Sequence, residues 1–330
     1  MNFRFLALVI LSSISIHSAV YAEEKKHKDC ITPEKKDDSL IEIRDKTHAS
    51  LCNAVRSIDS WFGSKEEFDG QVFSGKVIVG FRQDEDTGFD PKLRIRINAQ
   101  LPNMSKRFNA FIGRTDEDAF ISDSKVSGID DLSNDLQDED ASWLIGLGYS
   151  NPNSKGFETS IGARISSGIQ PYARLRYRYF LQMKENQSAR FTQTLFWQND
   201  DGIGTTSNLD YGIKLSKKRL LSLGFGATYR RDTEIWDTGS SVTLYNKLSK
   251  NRSIALKSYI FGESGDKSLV NIPEYGISIS YRQPFLKPWL ILNTSIENRW
   301  THEREDQPRE SFAQIGMQLE MSFGKYKSDY

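Results

Sequence analysis

From Lys92 to Leu101 basic or polar residues alternate with apolar ones, and Ala173 to Gln182 repeats the pattern. Successive side chains of a strand point to opposite faces, so Leu93, Ile95, Ile97, Ala99 and Leu101 share one face, and Lys92, Arg94, Arg96, Asn98 and Gln100 share the other. One face suits hydrocarbon and the other suits water. A period of two persists from Ser74 to Phe323 and predicts strands near 76–82, 92–101, 107–114, 142–150, 156–166, 172–182, 188–198, 205–216, 219–231, 239–249, 252–263, 272–283, 288–300 and 311–323. Ahead of them Leu51, Val55, Ile58 and Phe62 fall at helical spacing. They predict one helix near 46–62, with Asp45 or Thr47 as its cap and Gly63 as its stop.

The connections between these strands alternate in length. Short links such as 102–105, 151–155, 184–187, 217–218, 250–251 and 284–287 occupy every second position, and longer ones, 83–91, 115–141, 232–238, 264–271 and 301–310, lie between them. An even number of strands with short turns at one end and long loops at the other is the plan of a barrel that crosses a membrane. The fold class expected is all-β: a closed antiparallel transmembrane β-barrel of about fourteen strands with a short helical N-terminal segment.

Composition changes this picture little. The mean hydropathy of −0.54 would suit a soluble protein, but a barrel that shows lipid only every second residue has the same average. A basic start at Met1 to Arg4, an apolar run to Ile16 and Val20-Tyr21-Ala22 before Glu23 have the form of a secretory signal peptide. Residues 1–22 are therefore expected to be a leader, 23–73 a periplasmic segment with the helix, 74–323 the barrel and 324–330 a tail. Cys30 and Cys52 are the two cysteines, both beyond the leader, and a disulfide between them is expected in an oxidising compartment. Formal net charge is zero, which argues against a nucleic-acid partner.

The last strand adds a more specific signal. Gln314, Gly316, Leu319 and Met321 resemble the polar-x-Gly-x-x-apolar-x-apolar pattern at the C-terminus of Gram-negative outer-membrane β-barrel proteins, and Phe323 continues the apolar face before Gly324 to Tyr330. The resemblance is to porin-like barrels as a class, without a characterised subfamily. It implies the outer membrane, with its lipid and lipopolysaccharide, and the barrel-assembly machinery as partners. Ser60-Trp61-Phe62-Gly63 before such a barrel looks like proteobacterial proteins of unassigned function.

Lipid decides which face points out. A lysine or arginine near the bilayer midplane costs about 2–4 kcal/mol, so Arg174, Arg176 and Arg178 facing outward would cost about 6–12 kcal/mol on one strand. They must face inward. Leu93, Ile95, Leu175, Tyr177, Leu221, Leu223, Phe225, Ile277, Ile279, Met317 and Leu319 then form the lipid belt. Trp143, Tyr149, Trp197, Tyr211, Tyr229, Tyr281 and Trp300 form its aromatic girdles. The same register lines the lumen with Arg94, Arg96, Arg107, Arg164, Arg174, Arg176, Arg178, Arg190, Arg282 and Arg299, together with Lys76, Arg82, Lys92, Lys214, Arg230, Lys247 and Lys257. Its expected acids are Glu158, Asp210, Glu274, Glu297 and Glu320, so roughly seventeen bases face five acids. The compensating carboxylates, Asp84, Glu85, Asp86 and Asp90, then Asp116 to Asp140, are expected in the external links.

A pathway or binding site for anionic small solutes follows from such a lumen. Two other readings stay open: a non-conducting structural or assembly barrel, plugged by the acidic loop or the prefix, and a rim enzyme acting on lipid or lipopolysaccharide. For the enzyme no catalytic residues are assigned, since His302 is the one histidine in the barrel and a nucleophile needs a base. No metal-ligand spacing and no cofactor motif is evident, and the acidic loops lack the spacing of a calcium loop.

Overall fold

The computed structural model describes residues 39–59, 73–101, 107–116, 118–124, 141–150, 156–166, 168–199, 202–264, 271–302 and 308–324. One helix, α1 (Ser39–Asp59), precedes the strands β1 (Phe73–Asp84), β2 (Gly88–Gln100), β3 (Phe108–Asp116), β4 (Ala141–Ser150), β5 (Phe157–Ile165), β6 (Ile169–Lys184) and β7 (Gln187–Gln198). There follow β8 (Gly202–Lys214), β9 (Arg219–Arg230), β10 (Ile235–Ser249), β11 (Arg252–Ser264), β12 (Asn271–Phe285), β13 (Lys287–Thr301) and β14 (Glu310–Gly324). Each strand pairs antiparallel with its sequence neighbours, and β1 pairs with β14 to close the barrel. Closure satisfies every edge, which a sheet in hydrocarbon requires.

All the expected strands are present, most of them longer than the alternation suggested. The largest difference is at the first connection, where the expected link 83–91 is a three-residue turn, 85–87. Phe89 continues the outward face and stacks on Phe81 with ring centroids 5.5 Å apart. Asp90 sits inward between Arg82 and Lys92, at 3.2 and 2.6 Å. The Asp84 carboxylate accepts the Asp86 amide at 2.8 Å and tightens the turn. Polar composition marked this stretch as loop, yet each acid has a cross-strand reason to stay in the sheet.

One end of the barrel carries tight turns, 185–186, 250–251 and Leu286 alone, together with both barrel termini; the other carries the long loops. At the turn end Gly156 has φ +82°, and a Cβ there would run into the Arg178 carbonyl. Only glycine closes that turn without moving β6.

α1 begins at Ser39, ahead of the expected start near 46, so Asp45 and Thr47 lie inside it rather than at its cap. Glu42 in the first turn suits the helix dipole and pairs with Lys46 at 2.6 Å. Ala49 and Cys52 are buried. Cys52 packs with Ile97, Ala99 and Phe323, which share the outward register of β2 and β14, so α1 lies against the outer wall at the turn end, over the β14–β1–β2 closure. His48 meets the Phe323 ring edge-on at 6.3 Å, and Arg44 covers the Trp289 ring at 5.0 Å. Cys52 is disulfide-bonded; Cys30 lies outside the described residues, as do the leader, Phe62, Gly63 and the tail.

Candidate lumenal site

The observed register places the lipid belt outward as expected. Ile277, Ile279, Phe225 and Leu175 are 39–51% exposed on the outer surface. The girdle residues also point out, with Tyr275 stacked on Trp300 at 5.4 Å and Tyr229 on Trp236 at 5.1 Å. Arg114 shares this face near the loop end of β3, where its guanidinium turns back to the Leu93 carbonyl at 2.9 Å.

The inward face is largely polar, and its main apolar cluster lies under a loop. Leu144, Phe111, Tyr172 and Phe196 point into the barrel and bury Ile121, which belongs to the long loop after β3. That loop folds inward as a π-helical turn over Asp118–Ser122. Phe120 packs against Phe111 with tilted rings 4.4 Å apart, beneath the Arg174 guanidinium at 4.7 Å from its centroid. Arg174 donates to the Phe120 carbonyl and Arg176 pairs with the Asp123 carboxylate. Thr194 donates its hydroxyl to Asp123 at 2.6 Å, and Asn208 donates to the Asp123 carbonyl at 2.7 Å. The loop is thereby fixed to the inner wall of β3 to β8 and narrows the lumen.

The arginine ladder of β6 lies beside this loop. Glu158 of β5 is shared by Arg174 at 3.0 Å, Arg178 at 3.3 Å and Arg176 at 3.9 Å. Three guanidiniums thus meet two carboxylates, Glu158 and Asp123, and the Arg178 side chain remains 48% exposed. Elsewhere the bases are paired more evenly. Arg190 donates from Nε and Nη2 to Asp210 at 3.0 and 2.9 Å. Arg230 pairs with Asp237, and Arg299 reaches Asp84, Asp86 and Glu274 at 3.2, 3.1 and 3.6 Å. Glu320 serves Lys76 at 3.1 Å and Arg282 at 3.2 Å. Arg96 donates to the Thr115 hydroxyl at 3.1 Å, Arg164 donates to Gln170, and Arg94 is buried at 1% exposure. The Tyr259 hydroxyl bridges Glu274 and Glu297 at 2.9 and 2.6 Å.

Toward the turn end the lumen widens into a vestibule of about 850 Å³. Lys214 of β8 and Lys247 of β10 stand on its wall, and Lys217, Lys218 and Lys250 line it from the turns. Its lining also includes Arg219, Arg252, Arg282, Trp289, Tyr245, Glu320 and Glu185.

Two expectations need correction. Arg107 does not join the ladder: it is exposed in the turn before β3, with Nη1 3.5 Å from the hydroxyl of Tyr149, a girdle residue on the outer face. The acids assigned to external links are partly lumenal, since Asp84 and Asp90 belong to inward positions of β1 and β2 and Asp123 is carried inside by its loop. Asp237, also expected in a link, faces inward on β10. Asp90, two residues before Lys92 on the same face, was readable from alternation; nothing local marked Asp123. Of the C-terminal pattern, Gln314 and Gly316 face in, and Leu319, Met321 and Phe323 face out. Met321 and Phe323 pack with the α1 cluster. His302 Nε2 lies 2.7 Å from the Ile272 carbonyl and 3.2 Å from Arg309 Nη2.

No family model and no curated protein matches the sequence. Among solved structures, a bacterial polysaccharide outer membrane secretin is 10% identical, with 77% of this chain and 99% of that chain covered at a TM-score of 0.45. The anion-selective porin from Comamonas acidovorans is 10% identical, covering 76% and 98% at 0.42. The KdgM porin in complex with disordered oligogalacturonate is 7% identical, covering 75% and 99% at 0.37. The described residues form a closed antiparallel β-barrel with an apolar outer wall and a largely polar interior.

Proposed function

We propose that the chain is an outer-membrane channel for anionic small solutes, with its turn end and α1 in the periplasm and its long loops outside, facing lipopolysaccharide. The β6 ladder carries this reading: among the described residues Arg174, Arg176 and Arg178 share the two carboxylates Glu158 and Asp123, three guanidiniums for two acids, with Arg178 half exposed to the passage. A fixed cation lowers the energy of an anion where the lumen is too narrow for full hydration, and a guanidinium matches carboxylate, phosphate or sulfate. Among the described residues of the whole lumen the inward bases still outnumber the inward carboxylates once Asp84, Asp90, Asp123 and Asp237 are included. The outward Leu319, Met321 and Phe323 would be the face read by the assembly machinery before α1 covers it. The reversal potential of the purified protein in a planar bilayer under a potassium chloride gradient tests the reading. A chloride-preferring potential is expected, reduced in Arg178→Gln. Cation preference, or no conductance, overturns it.

A further inference from the structure

The periplasmic vestibule differs from the rest of the lumen in one respect. At the ladder and the loop end Arg174, Arg176, Arg178, Arg190, Arg230 and Arg299 each have a carboxylate partner. In the vestibule, among the described residues, the side chains of Lys214, Lys217, Lys218, Lys247 and Lys250 have no carboxylate within 4.0 Å. Glu320, the one deep acid of the cavity, is already held by Lys76 and Arg282, and Glu185 stands at the rim. Lys214 and Lys247 occupy inward registers of β8 and β10, so the barrel wall aims them into the cavity. Turn lysines commonly serve only solubility, but two wall lysines converging with three turn lysines on one concavity repel each other unless an anion sits between them.

The opposite lining supplies a second kind of contact. Trp289 lines the cavity and is held by Arg44 of α1, whose guanidinium lies 5.0 Å from the ring centroid. Tyr245 adds a second aromatic surface. A volume of about 850 Å³ falls within the range of small-molecule sites and exceeds what a single chloride or phosphate needs.

We infer that the vestibule is a binding site for a multivalent organic anion carrying a planar ring face, with Lys214 and Lys247 holding its carboxylates and Trp289 its ring. The inference rests on the anion-channel reading in taking the occupant to be a permeating solute rather than a protein. It makes the periplasmic end a second selection step beyond the arginine ladder, favouring solutes with several carboxylates over monovalent ions.

Calorimetric titration of the full chain in detergent at low salt tests it, with benzene-1,3,5-tricarboxylate as probe and citrate and inorganic phosphate as comparisons. The aromatic tricarboxylate should bind more tightly than citrate, and citrate more tightly than phosphate. A Lys214→Gln/Lys247→Gln variant should weaken the aromatic probe by about tenfold, and Trp289→Leu should abolish its advantage over citrate. Arg231→Gln, on an exposed loop-end turn, should change neither. Absence of binding, or equal weakening by Arg231→Gln and the double variant, overturns the site. Heat-dependent gel mobility identifies any variant that fails to fold, and Lys214→Arg/Lys247→Arg should restore binding where charge is the determinant. Chloride preference in bilayers without tricarboxylate binding would remove the site and leave the channel reading; binding with cation preference would do the reverse.

Discussion

Phe323 illustrates how one residue takes on a role its neighbours define. Alternation marks it as the last lipid-facing position, yet it is 1% exposed, its ring lying over Gly75 of β1 and under α1. Gly75 is directly opposite it across the closing seam. A Cβ on Gly75 would overlap that ring, so Gly75→Val should destabilise closure by about 1–3 kcal/mol, the usual cost of overpacking. The urea midpoint of the gel-mobility shift would measure this, and Phe323→Leu in the same chain should recover part of the loss. His48 is the titrating group at this contact. Burial against the barrel holds its pKa below the ordinary 6.5, Arg44 lowers it further, and Asp45 partly opposes both. Undocked helix therefore takes up a proton first as pH falls through 6.5, and docking weakens from there until the docked histidine also protonates. Amide protection factors in 39–59, taken relative to the intrinsic exchange rate at each pH, should fall between pH 7.5 and pH 5.5, and His48→Leu should remove the difference.

At the scale of elements, register matters more than exposure. Ile279 of β12 and Phe180 of β6 are both half exposed or more, at 51% and 64%, but Ile279 faces out and Phe180, opposite Arg190, faces in. Ile279→Arg should cost about 2–4 kcal/mol because hydrocarbon cannot solvate the charge. Phe180→Gln, in the watered lumen, should stay within about 0.5 kcal/mol. Unfolding in lipid vesicles would compare them, and equal costs would contradict the register. Strands were legible because a two-residue period survives any choice of partner. α1 starts at Ser39, seven residues before the expected 46, and a small residue, Cys52, carries its packing on Ile97, Ala99 and Phe323.

For the whole molecule, the decisive event is the inward fold of the loop after β3. Asp123 holds it through Arg176, Thr194 and Asn208, residues of three different strands. Removing one partner of a buried ion pair costs about 3–5 kcal/mol. Asp123→Ala should release the loop, and single-channel conductance should rise with it; unchanged conductance would mean that the loop does not narrow the passage. The lumen's electrostatics depend on the same event, since the loop brings a carboxylate to the ladder.

The chain's own pattern determined the strand number, the antiparallel order, the lipid face and the inward direction of Arg94, Arg174, Arg176 and Arg178, because water and hydrocarbon sort alternate residues whatever lies across the sheet. Tertiary structure alone decided which cations keep a partner. Asp123 reaches Arg176 across 53 positions of sequence, and the inward Phe111, Leu144 and Phe196 look like lipid-facing residues until the loop that buries them is in place. The vestibule lysines show the other outcome: five cations scattered over two turns and two strands become one cavity lining only when the barrel closes. Alternation is a local consequence of backbone geometry, whereas charge neutralisation depends on distances that only the closed barrel sets.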